Sequence, residues 1–479
     1  MRPSTPIPLL LSLLLLLAAC AAPPPSPAAP VSPAPTKTRF VFPPTFTPAP
    51  PTATSIPISP TPRPTRTPTP TSSPAPTLPP LPTAYPPVQS ATADDQPPRA
   101  YHLLFLAGGE LKLWNRDTGQ IEDLIPFDDP AERVNRVQAY SISADRLRVA
   151  LLRKDASGGW ELAVFDRLAG QMLWRQSLES AQVADFAISP NGLWVAYIAP
   201  QDVIVVPLEA PERAATVGQC APACAGLLWK PGSLFLVWGD QTGVWQIDPA
   251  LGVDQNAELL LEPFVQAITA RGENVYGSYA PLNWSPSGRF LLLGKGLAEE
   301  RPLVVLDTAS GRAEELAGPF LYVDARLSLA WLQGDLLLIT RAALPGQAVR
   351  AAGEVLQIDP ATEDFFVQVN QFSVGESPAD VPFAPHQLAD GRLAFAMLNF
   401  STPNFVETNG IYVFDFVNPP LKSNDLPFGP LRDVVWTPDG SAGLVVTARR
   451  TLYVPADGGQ IYDLRLFLGV SACCFTWIP

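Results

Sequence analysis

The chain has 479 residues and a formal net charge of −13, and its composition is not uniform: 30 of the 57 prolines lie in the first hundred residues, whereas all 32 glycines lie after residue 107. Only the second part therefore has the composition of a folded domain. Residues 1–92 carry five basic and no acidic residues, which leaves −18 on residues 93–479, and a domain that acidic excludes nucleic acid as an expected partner.

The N-terminus predicts an exported protein. The apolar stretch Leu9–Ala19 is too short to span a bilayer, and with the basic Arg2 before it residues 1–19 read as a secretory signal peptide. Its end, Leu17–Cys20, resembles the lipobox, a motif of bacterial lipoproteins. In that family the cysteine is acylated and the signal peptide is cut before it. The resemblance implies an extracytoplasmic lipoprotein, anchored to the cell membrane by lipid on Cys20. The alternative is an ordinary signal peptide with an incidental cysteine.

Residues 20–98 are predicted to form a disordered stalk rich in Pro, Thr and Ser. Residues 21–98 contain 27 prolines and no glycine. Proline cannot donate to a sheet or continue a helix, so such a chain stays extended and lifts the following domain off the membrane. The alternative is a PxxP ligand for a recognition domain, and the hydroxyl residues would also suit O-glycosylation.

A repeat occupies residues 99–479. Its first element is an apolar strand that runs into a Pro-x-Gly type turn, with the clearest copies at Phe186–Gly192, Leu282–Gly288 and Val434–Gly440. Proline presets the first turn dihedral and glycine takes the positive φ that returns the chain as a hairpin. Aligned on this turn, the copies recur at intervals between 41 and 56 residues, at Ala144, Pro190, Pro231, Pro286, Gln333, Ala389 and Pro438.

The turn is followed by three further strands. The second is a dense apolar run such as Trp194–Ile198, which favours a strand buried on both faces. The third alternates and ends in aspartate, and the fourth is more polar, as in Arg312–Leu316. Four strands in each repeat predict the blades of a β-propeller. The aspartates that close the third strands are Asp166, Asp248, Asp307, Asp359 and Asp415.

The two ends of the domain complete the ring. Tyr101–Leu106 and Leu111–Gly119 look like the second and third strands of a blade without a first strand, and Cys474–Pro479 looks like a lone first strand. We therefore expect the terminal segments to pair and to close an all-β, eight-bladed propeller, because pairing removes the exposed edges of an open ring. Seven blades is the alternative, if the weak copy around Ala389 belongs to its neighbour. Insertions near Gly346–Gly353 and Ser401–Asn409 are expected to lengthen loops between second and third strands.

The Trp-Ser-Pro-x-Gly hairpins and Asp-terminated third strands resemble the TolB-type, WD-repeat-like (WD40-like) β-propeller repeat. That family implies an architecture more than a function. The expected role is a binding or scaffold module with a protein, peptide or glycan partner in the envelope, acting as a monomer. The alternatives are an enzyme with its active site in the central channel, quinoprotein-like or a hydrolase, and a purely structural envelope component.

The four cysteines of the domain form two pairs. Cys220 and Cys224 lie in one loop, and an exported protein is expected to join them as a disulfide. Cys473 and Cys474 are adjacent, and could form a vicinal disulfide or stay reduced. A zinc site made of all four is the remaining alternative, disfavoured by their separation around the ring.

The rest of the sequence predicts no enzyme, catalytic residue, cofactor or metal site. His102 and His386 are 284 residues apart, and the chain has no HExxH, GxSxG or P-loop motif. We expect the repeated aspartates to cap turns. The recurrent first-strand tryptophans are expected to pack between blades, with a stacking ligand site as the alternative; they are Trp229, Trp284, Trp331, Trp436 and Trp477.

Overall fold

The computed structural model describes residues 87–479, apart from 126–136, 155–158, 179–182, 184, 221, 252–256, 270, 297–301, 317, 319–321, 324–325, 328, 342–351, 374–379, 403–404 and 427–429. Residues 1–86, with the predicted signal peptide, Cys20 and most of the predicted stalk, lie outside the described residues. The described part is all-β. Eight sheets form the blades of a propeller: seven have four antiparallel strands, and the eighth adds a short fifth strand in parallel at its edge. The one α-helix of the described part is α1 (Arg465–Leu468).

The strands of blades 1 to 4 follow one another along the chain after a short N-terminal strand. They are β1 (Gln89–Ser90); β2 (His102–Ala107), β3 (Glu110–Trp114) and β4 (Ile121–Asp123); β5 (Val137–Ile142), β6 (Arg148–Lys154), β7 (Trp160–Asp166) and β8 (Gln171–Leu178); β9 (Asp185–Ile188), β10 (Trp194–Ala199), β11 (Asp202–Pro207) and β12 (Ala215–Gln219); and β13 (Ala225–Trp229), β14 (Leu236–Asp240), β15 (Gly243–Ile247) and β16 (Glu258–Leu261).

Blades 5 to 8 repeat this order, with two inserted hairpins and a last strand that belongs to blade 1. The strands are the hairpin β17 (Phe264–Ile268) and β18 (Asn274–Gly277); β19 (Tyr279–Trp284), β20 (Phe290–Lys295), β21 (Leu303–Asp307) and β22 (Ala313–Leu316); the hairpin β23 (Tyr322–Val323) and β24 (Arg326–Leu327); β25 (Leu329–Leu332), β26 (Leu336–Arg341), β27 (Ala352–Ile358) and β28 (Phe366–Ser373); β29 (Asp380–Gln387), β30 (Leu393–Thr402), β31 (Phe405–Phe414) and β32 (Leu421–Asp425); β33 (Leu431–Trp436), β34 (Ala442–Thr447), β35 (Thr451–Pro455) and β36 (Tyr462–Asp463); and β37 (Cys473–Ile478).

The predicted closure of the ring is confirmed. The C-terminal strand β37 pairs antiparallel with β2, with Trp477 opposite Leu103 and Thr476 opposite Leu104, so blade 1 is built from both ends of the domain. The copy around Ala389 forms its own blade, β29 to β32, which rules out the seven-bladed alternative.

The dense apolar second strands supply two interfaces at once. In β20, Leu292 packs with Leu337 and Ile339 of blade 6, whereas its neighbours Leu291 and Leu293 pack with residues of blade 4. Successive side chains of a strand point to opposite faces, and each face of a blade is covered by another blade. This explains why the second strands read as continuous apolar runs rather than alternating ones.

The repeated Ser/Thr-Pro turn is held by a buried hydroxyl. Ser189 is completely buried, and its Oγ accepts from the backbone N–H of Trp194 at 3.0 Å and donates to Asn191 Oδ1 at 2.7 Å. Gly192 completes the turn with φ of 70°. The hydroxyl thus ties the first strand to the second, and it explains why Ser or Thr precedes the turn in four blades, at Ser143, Ser189, Ser285 and Thr437.

The ring has two different ends, because the strands of a blade alternate in direction. The turns after the first and third strands meet at one end, the turn face, which includes Pro190–Gly192 and Asp307–Gly311. The second-to-third-strand loops and the blade-to-blade connections meet at the other end. This loop face includes Gly108–Gly109, the β17–β18 hairpin and α1.

Of the two predicted insertions, the first, Gly346–Gly353, lies largely outside the described residues, and its last two residues, Ala352 and Gly353, already belong to the third strand β27. The second, Ser401–Asn409, differs from a simple loop. It lengthens β30 and β31 to ten residues each, because Asn399 pairs with Glu407 and Thr402 with Phe405.

Ordered packing begins before residue 99, where the sequence predicts the folded domain to start. Gln89–Ser90 pairs in parallel with β36, and Ala91 is buried in the core between blades 8 and 1. The Arg99 guanidinium stacks 3.5 Å from the centre of the Trp114 ring. The segment before residue 99 therefore packs against the propeller, with Ala91 in the core between blades 8 and 1 and Val88 against the core between blades 7 and 8.

Candidate functional site

The candidate functional residues are those that do not recur from blade to blade, and they lie on the loop face. The first feature is the adjacent pair Cys473 and Cys474, at the start of β37, the strand that closes the ring. Both side chains are exposed, and their sulfur atoms lie 3.1 Å apart without being joined. The Cys474 S–H donates to Cys473 Sγ. This hydrogen bond lowers the pKa of the Cys473 thiol to about 7, against the opposing effect of its partial burial.

The backbone around this pair is a β-bulge. The register between β2 and β37 shifts between Leu104 and Leu106, and Cys474 adopts the left-handed conformation with φ of 56°. Tyr140 of the neighbouring blade holds this conformation, because its hydroxyl donates to the Cys474 carbonyl and lies 2.9 Å from Thr476 Oγ1. Burial raises the pKa of Tyr140, which keeps the phenol protonated and able to donate.

A cavity of about 410 Å³ opens beside Cys473. Small and polar residues border it, and the Gly108 N–H donates to Ser471 Oγ at 3.2 Å across its rim. The cavity volume falls in the range of small-molecule sites. Its lining residues are Leu106, Gly108, Gly109, Val137, Gln138, Ser471 and Cys473.

The second feature is the hairpin β17–β18, inserted between blades 4 and 5. The hairpin is fixed at its base, where the Phe264 ring packs edge-on against Tyr279 at 5.0 Å. A Cβ at Gly277 would lie 2.2 Å from Phe264 Cζ, so glycine is needed there for the ring to fit. Beyond this base the hairpin leaves four apolar side chains exposed by two fifths to two thirds, those of Val265, Ile268, Val275 and Tyr276.

The structure pairs Cys220 with Cys224, with their Cα atoms 5.1 Å apart. The pair closes the connection from blade 3 to blade 4, and Gln201 braces it, since the Gln201 carbonyl accepts from the Cys220 N–H at 2.8 Å. The other cysteine pair belongs to blade 1. Among the described residues no three His, Cys, Asp or Glu side chains could hold one metal ion together, so the four cysteines do not form the zinc site weighed from the sequence.

The structure gives the recurrent tryptophans the predicted packing role. The indole N–H of Trp229 donates to the Ala187 carbonyl at 3.2 Å, and that of Trp477 to the Val435 carbonyl at 3.0 Å. Each acceptor lies on the first strand of the preceding blade. Trp436 makes the same bond to Ala384 at 2.6 Å. These side chains therefore link consecutive blades.

The strand-end aspartates cap turns, as predicted. Asp307 is completely buried and accepts two hydrogen bonds from the Arg289 guanidinium, at 2.9 and 3.0 Å, and one from Ser310 Oγ at 2.7 Å. Burial alone would raise the pKa of Asp307, but these donors lower it below its usual value. Asp166, Asp248, Asp359 and Asp415 likewise accept from backbone N–H groups of their turns.

The two histidines lie in different blades. In blade 1, His102 Nδ1 accepts from the Arg116 N–H at 3.0 Å, and in blade 7 His386 stacks against Trp436 with ring centres 6.2 Å apart. Burial lowers the pKa of both imidazoles. Both histidines therefore serve as packing residues. In the described part of the chain, no helix has the length and hydrophobicity needed to cross a bilayer.

No protein-family model and no curated protein matches this sequence. Solved propeller-containing structures do resemble it. The chain is similar to dihydro-heme d1 dehydrogenase NirN, at 13% identity and a TM-score of 0.47, over 83% of this chain and 78% of that one. It is similar to dipeptidyl peptidase 4 of Porphyromonas gingivalis, at 11% identity and a TM-score of 0.48, over 77% and 58%.

A prolyl endopeptidase is a third similar structure, with 13% identity and a TM-score of 0.43; the match covers 69% of this chain and about half, 49%, of the peptidase. Identities this low show the fold alone. The neighbours include enzymes of unrelated chemistry, and the function of this chain has to be argued from its own residues.

Sequence reasoning finds the cysteine pairs but misses the apolar hairpin and the cavity. One signal for the hairpin was present, since the interval from Pro231 to Pro286 is 55 residues, longer than a blade needs. The aromatic and β-branched residues of Phe264–Ile268 are then typical of a strand in an extra hairpin. Nothing in the sequence marks which of its side chains stay exposed.

Proposed function

We propose that this chain is a membrane-anchored extracytoplasmic lipoprotein, with a TolB-type propeller that binds a protein partner through its loop face and acts as a binding or scaffold module rather than as an enzyme. The observation that carries the proposal is the hairpin β17–β18, which is anchored by Phe264 and exposes Val265, Ile268, Val275 and Tyr276. Ile268 alone is 68% exposed. Exposed apolar side chains gathered on one hairpin, which Phe264 anchors at its base, are typical of an interaction surface.

The chemistry of the hairpin favours a protein over a glycan. Three of the four exposed side chains are aliphatic and have no hydrogen-bonding atoms, whereas a sugar needs hydroxyl partners as well as apolar contact. The net charge of −18 on residues 93–479 favours a partner with basic residues around an apolar patch, and it disfavours anionic lipid and nucleic acid. The proposed partner is therefore a protein with an apolar patch rimmed by Lys and Arg.

The anchor and stalk complete the proposal. The Leu17–Cys20 lipobox supports lipid attachment, and two acyl chains hold a protein stably where one holds it marginally. The proline-rich segment that follows would keep the propeller away from the bilayer and leave its loop face accessible. Replacing Cys20 with Ser is expected to leave the protein unprocessed or to release it from the membrane fraction.

The binding surface is tested by site-specific cross-linking in cells that make the full chain. A photoreactive residue at Ile268 is expected to give one dominant protein adduct, whereas the same residue at Leu168, 83% exposed in a turn-face turn, is expected to give none. Ile268→Asp with the cross-linker at Val265 should reduce the adduct at least about tenfold, because a charge buried in an apolar interface is costly.

The matched control is Leu168→Asp, which places the same charge at a position that is also largely exposed, on the opposite face. It should leave the Val265 adduct unchanged. Equal labelling from Ile268 and Leu168, or an adduct that survives Ile268→Asp, contradicts binding through the hairpin. Unchanged membrane fractionation of Cys20→Ser contradicts the anchor without affecting this result.

A further inference from the structure

We propose that Cys473 and Cys474 form a thiol–disulfide exchange site, which reduces a low-molecular-weight organic disulfide and is itself converted to a vicinal disulfide. Neither the propeller fold nor the proposed protein binding calls for this activity. The proposal rests on the placement of the two thiols, on the strained backbone that presents them and on the cavity beside them.

The two sulfur atoms are placed for consecutive reaction. They lie 3.1 Å apart and are both exposed, so one can meet a substrate while the other stays within reach of it. The hydrogen bond from Cys474 stabilises the Cys473 thiolate, the form that attacks disulfides. Cys473 is therefore the attacking residue, and Cys474 is the resolving one.

The backbone is held in an unfavourable conformation at this point. Cys474 has φ of 56°, a left-handed conformation that is unfavourable for non-glycine residues and that occurs preferentially at functional sites. Tyr140 fixes it through the Cys474 carbonyl and Thr476. Tyr140 touches no reacting sulfur atom, so we assign it as a positioning residue that keeps the Cys474 thiol directed at Cys473.

The reaction balances without a further reagent. The Cys473 thiolate attacks one sulfur of the substrate R–S–S–R, the S–S bond breaks, one thiolate leaves, and a Cys473–S–S–R mixed disulfide forms. Cys474 loses its proton and attacks Cys473 Sγ, which releases the second thiolate and closes the vicinal disulfide. The dithiol gives two electrons to the substrate, and its protons are taken up by the two departing thiolates.

The cavity indicates the size of the substrate. The cavity of about 410 Å³ is open to solvent and gives a small molecule access to Cys473, with both polar residues such as Ser471 and apolar residues such as Val137 in its lining. The Gly108–Gly109 turn adds no side chains to its wall, which leaves room for a substituent on the substrate sulfur. A low-molecular-weight disulfide with polar substituents fits these boundaries.

The test uses the full chain carrying Cys20→Ser, in which Cys473 and Cys474 are the two thiols outside the Cys220–Cys224 disulfide. The probe is hydroxyethyl disulfide, which is neutral and insensitive to the charge of the domain. We expect two equivalents of mercaptoethanol per chain and a Cys473–Cys474 peptide that has lost two hydrogens. Cys474→Ala should stop at one equivalent and retain a mixed disulfide on Cys473. Its capture step should be roughly three- to sixfold slower at pH 7, because loss of the donor to Cys473 lowers the thiolate fraction more than it raises the nucleophilicity of the thiolate.

Tyr140→Phe separates positioning from reactivity. It should leave the capture step unchanged and slow the ring closure, so that the mixed disulfide accumulates. Thermal unfolding of each variant shows whether the fold is intact, and the mass of the wild-type peptide needs no variant at all. Mixed disulfides on both cysteines, no reaction of the wild-type protein, or equal capture rates for wild type and Cys474→Ala each overturn the proposal.

Discussion

The two faces of the ring differ in how far their residues recur from blade to blade. On the turn face the same chemistry recurs from blade to blade, with a buried Ser or Thr at the first turn and a capping Asp after the third strand, as in Ser189 and Asp307. On the loop face, three of the described connections between blades differ from one another. One carries a disulfide, one an apolar hairpin, and one leads into the adjacent thiols of Cys473 and Cys474.

This difference distinguishes residues that stabilise the fold from residues that are candidates for binding or reaction. A repeated residue satisfies a demand that every blade shares, such as a backbone donor that would otherwise be buried without an acceptor. A residue that occurs in only one blade does not satisfy a structural requirement that all blades share. The side chains of Val265 and Ile268 are 48% and 68% exposed, and in the proposed function they contact a partner rather than a blade.

The largest effect is expected where a repeated residue also closes the ring. Trp477 is 3% exposed, donates to the Val435 carbonyl and packs edge-on against Tyr453 at 6.2 Å. Trp477→Ala should reduce the free energy of unfolding by roughly 3–5 kcal/mol, and deletion of Cys473–Pro479 should abolish soluble expression, because both open the seam between blades 8 and 1. Urea denaturation and the soluble yield measure this.

The control for that substitution is Leu466→Ala. Leu466 is a large apolar side chain near the same seam, but it is 81% exposed, so its truncation should change stability by no more than about 0.5 kcal/mol. Comparable losses for the two variants would mean that the terminal strand does not lock the ring.

A smaller, pH-dependent effect is expected on the turn face. Asp307→Asn should cost about 1–2 kcal/mol at pH 7, because the Arg289 guanidinium, itself half exposed, loses its charged acceptor. The pKa of Asp307 is lowered in the folded state, so its contribution is present above the unfolded value near 4 and is lost as the pH falls through the folded value. The difference between wild type and variant should therefore shrink below about pH 4.

Asp390 offers the matched comparison. Its carboxylate also pairs with an arginine, Arg392 at 2.7 Å, but its side chain is 52% exposed. Solvent screens such a pair, so Asp390→Asn should cost less than about 1 kcal/mol. If the two substitutions cost the same, burial of the turn-face aspartate contributes nothing beyond an ordinary surface pair. Urea unfolding between pH 3 and pH 7 distinguishes these cases.

The sequence predicts the parts of the fold that repeat. Eight blades, the strand order, the closing pair and the capping role of Asp307 follow from one pattern, because each blade must return the chain and bury the same faces. The segment before residue 99 is different. Val88 and Ala91 are too few apolar residues among prolines to predict packing, and only the nearby edge of β36 makes that packing favourable.

The candidate sites could be predicted in part. Adjacent cysteines are visible in any sequence, but their 3.1 Å separation and exposure depend on a bulge that Tyr140 imposes from another blade. In the sequence, the hairpin is evident only because the interval between two successive turns is longer than a blade needs. Which of its side chains face solvent depends on how Phe264 docks against Tyr279, a tertiary contact with no local signal.

The proposed function requires that a partner binds the loop face and not the turn face. The most direct measurement is amide hydrogen exchange on the full chain, alone and bound to the protein that cross-links at Ile268. We predict new protection across Phe264–Gly277 and unchanged exchange in the turn-face segments Ser189–Gly192 and Asp307–Gly311. Protection of the turn-face segments with an unprotected hairpin would contradict the account.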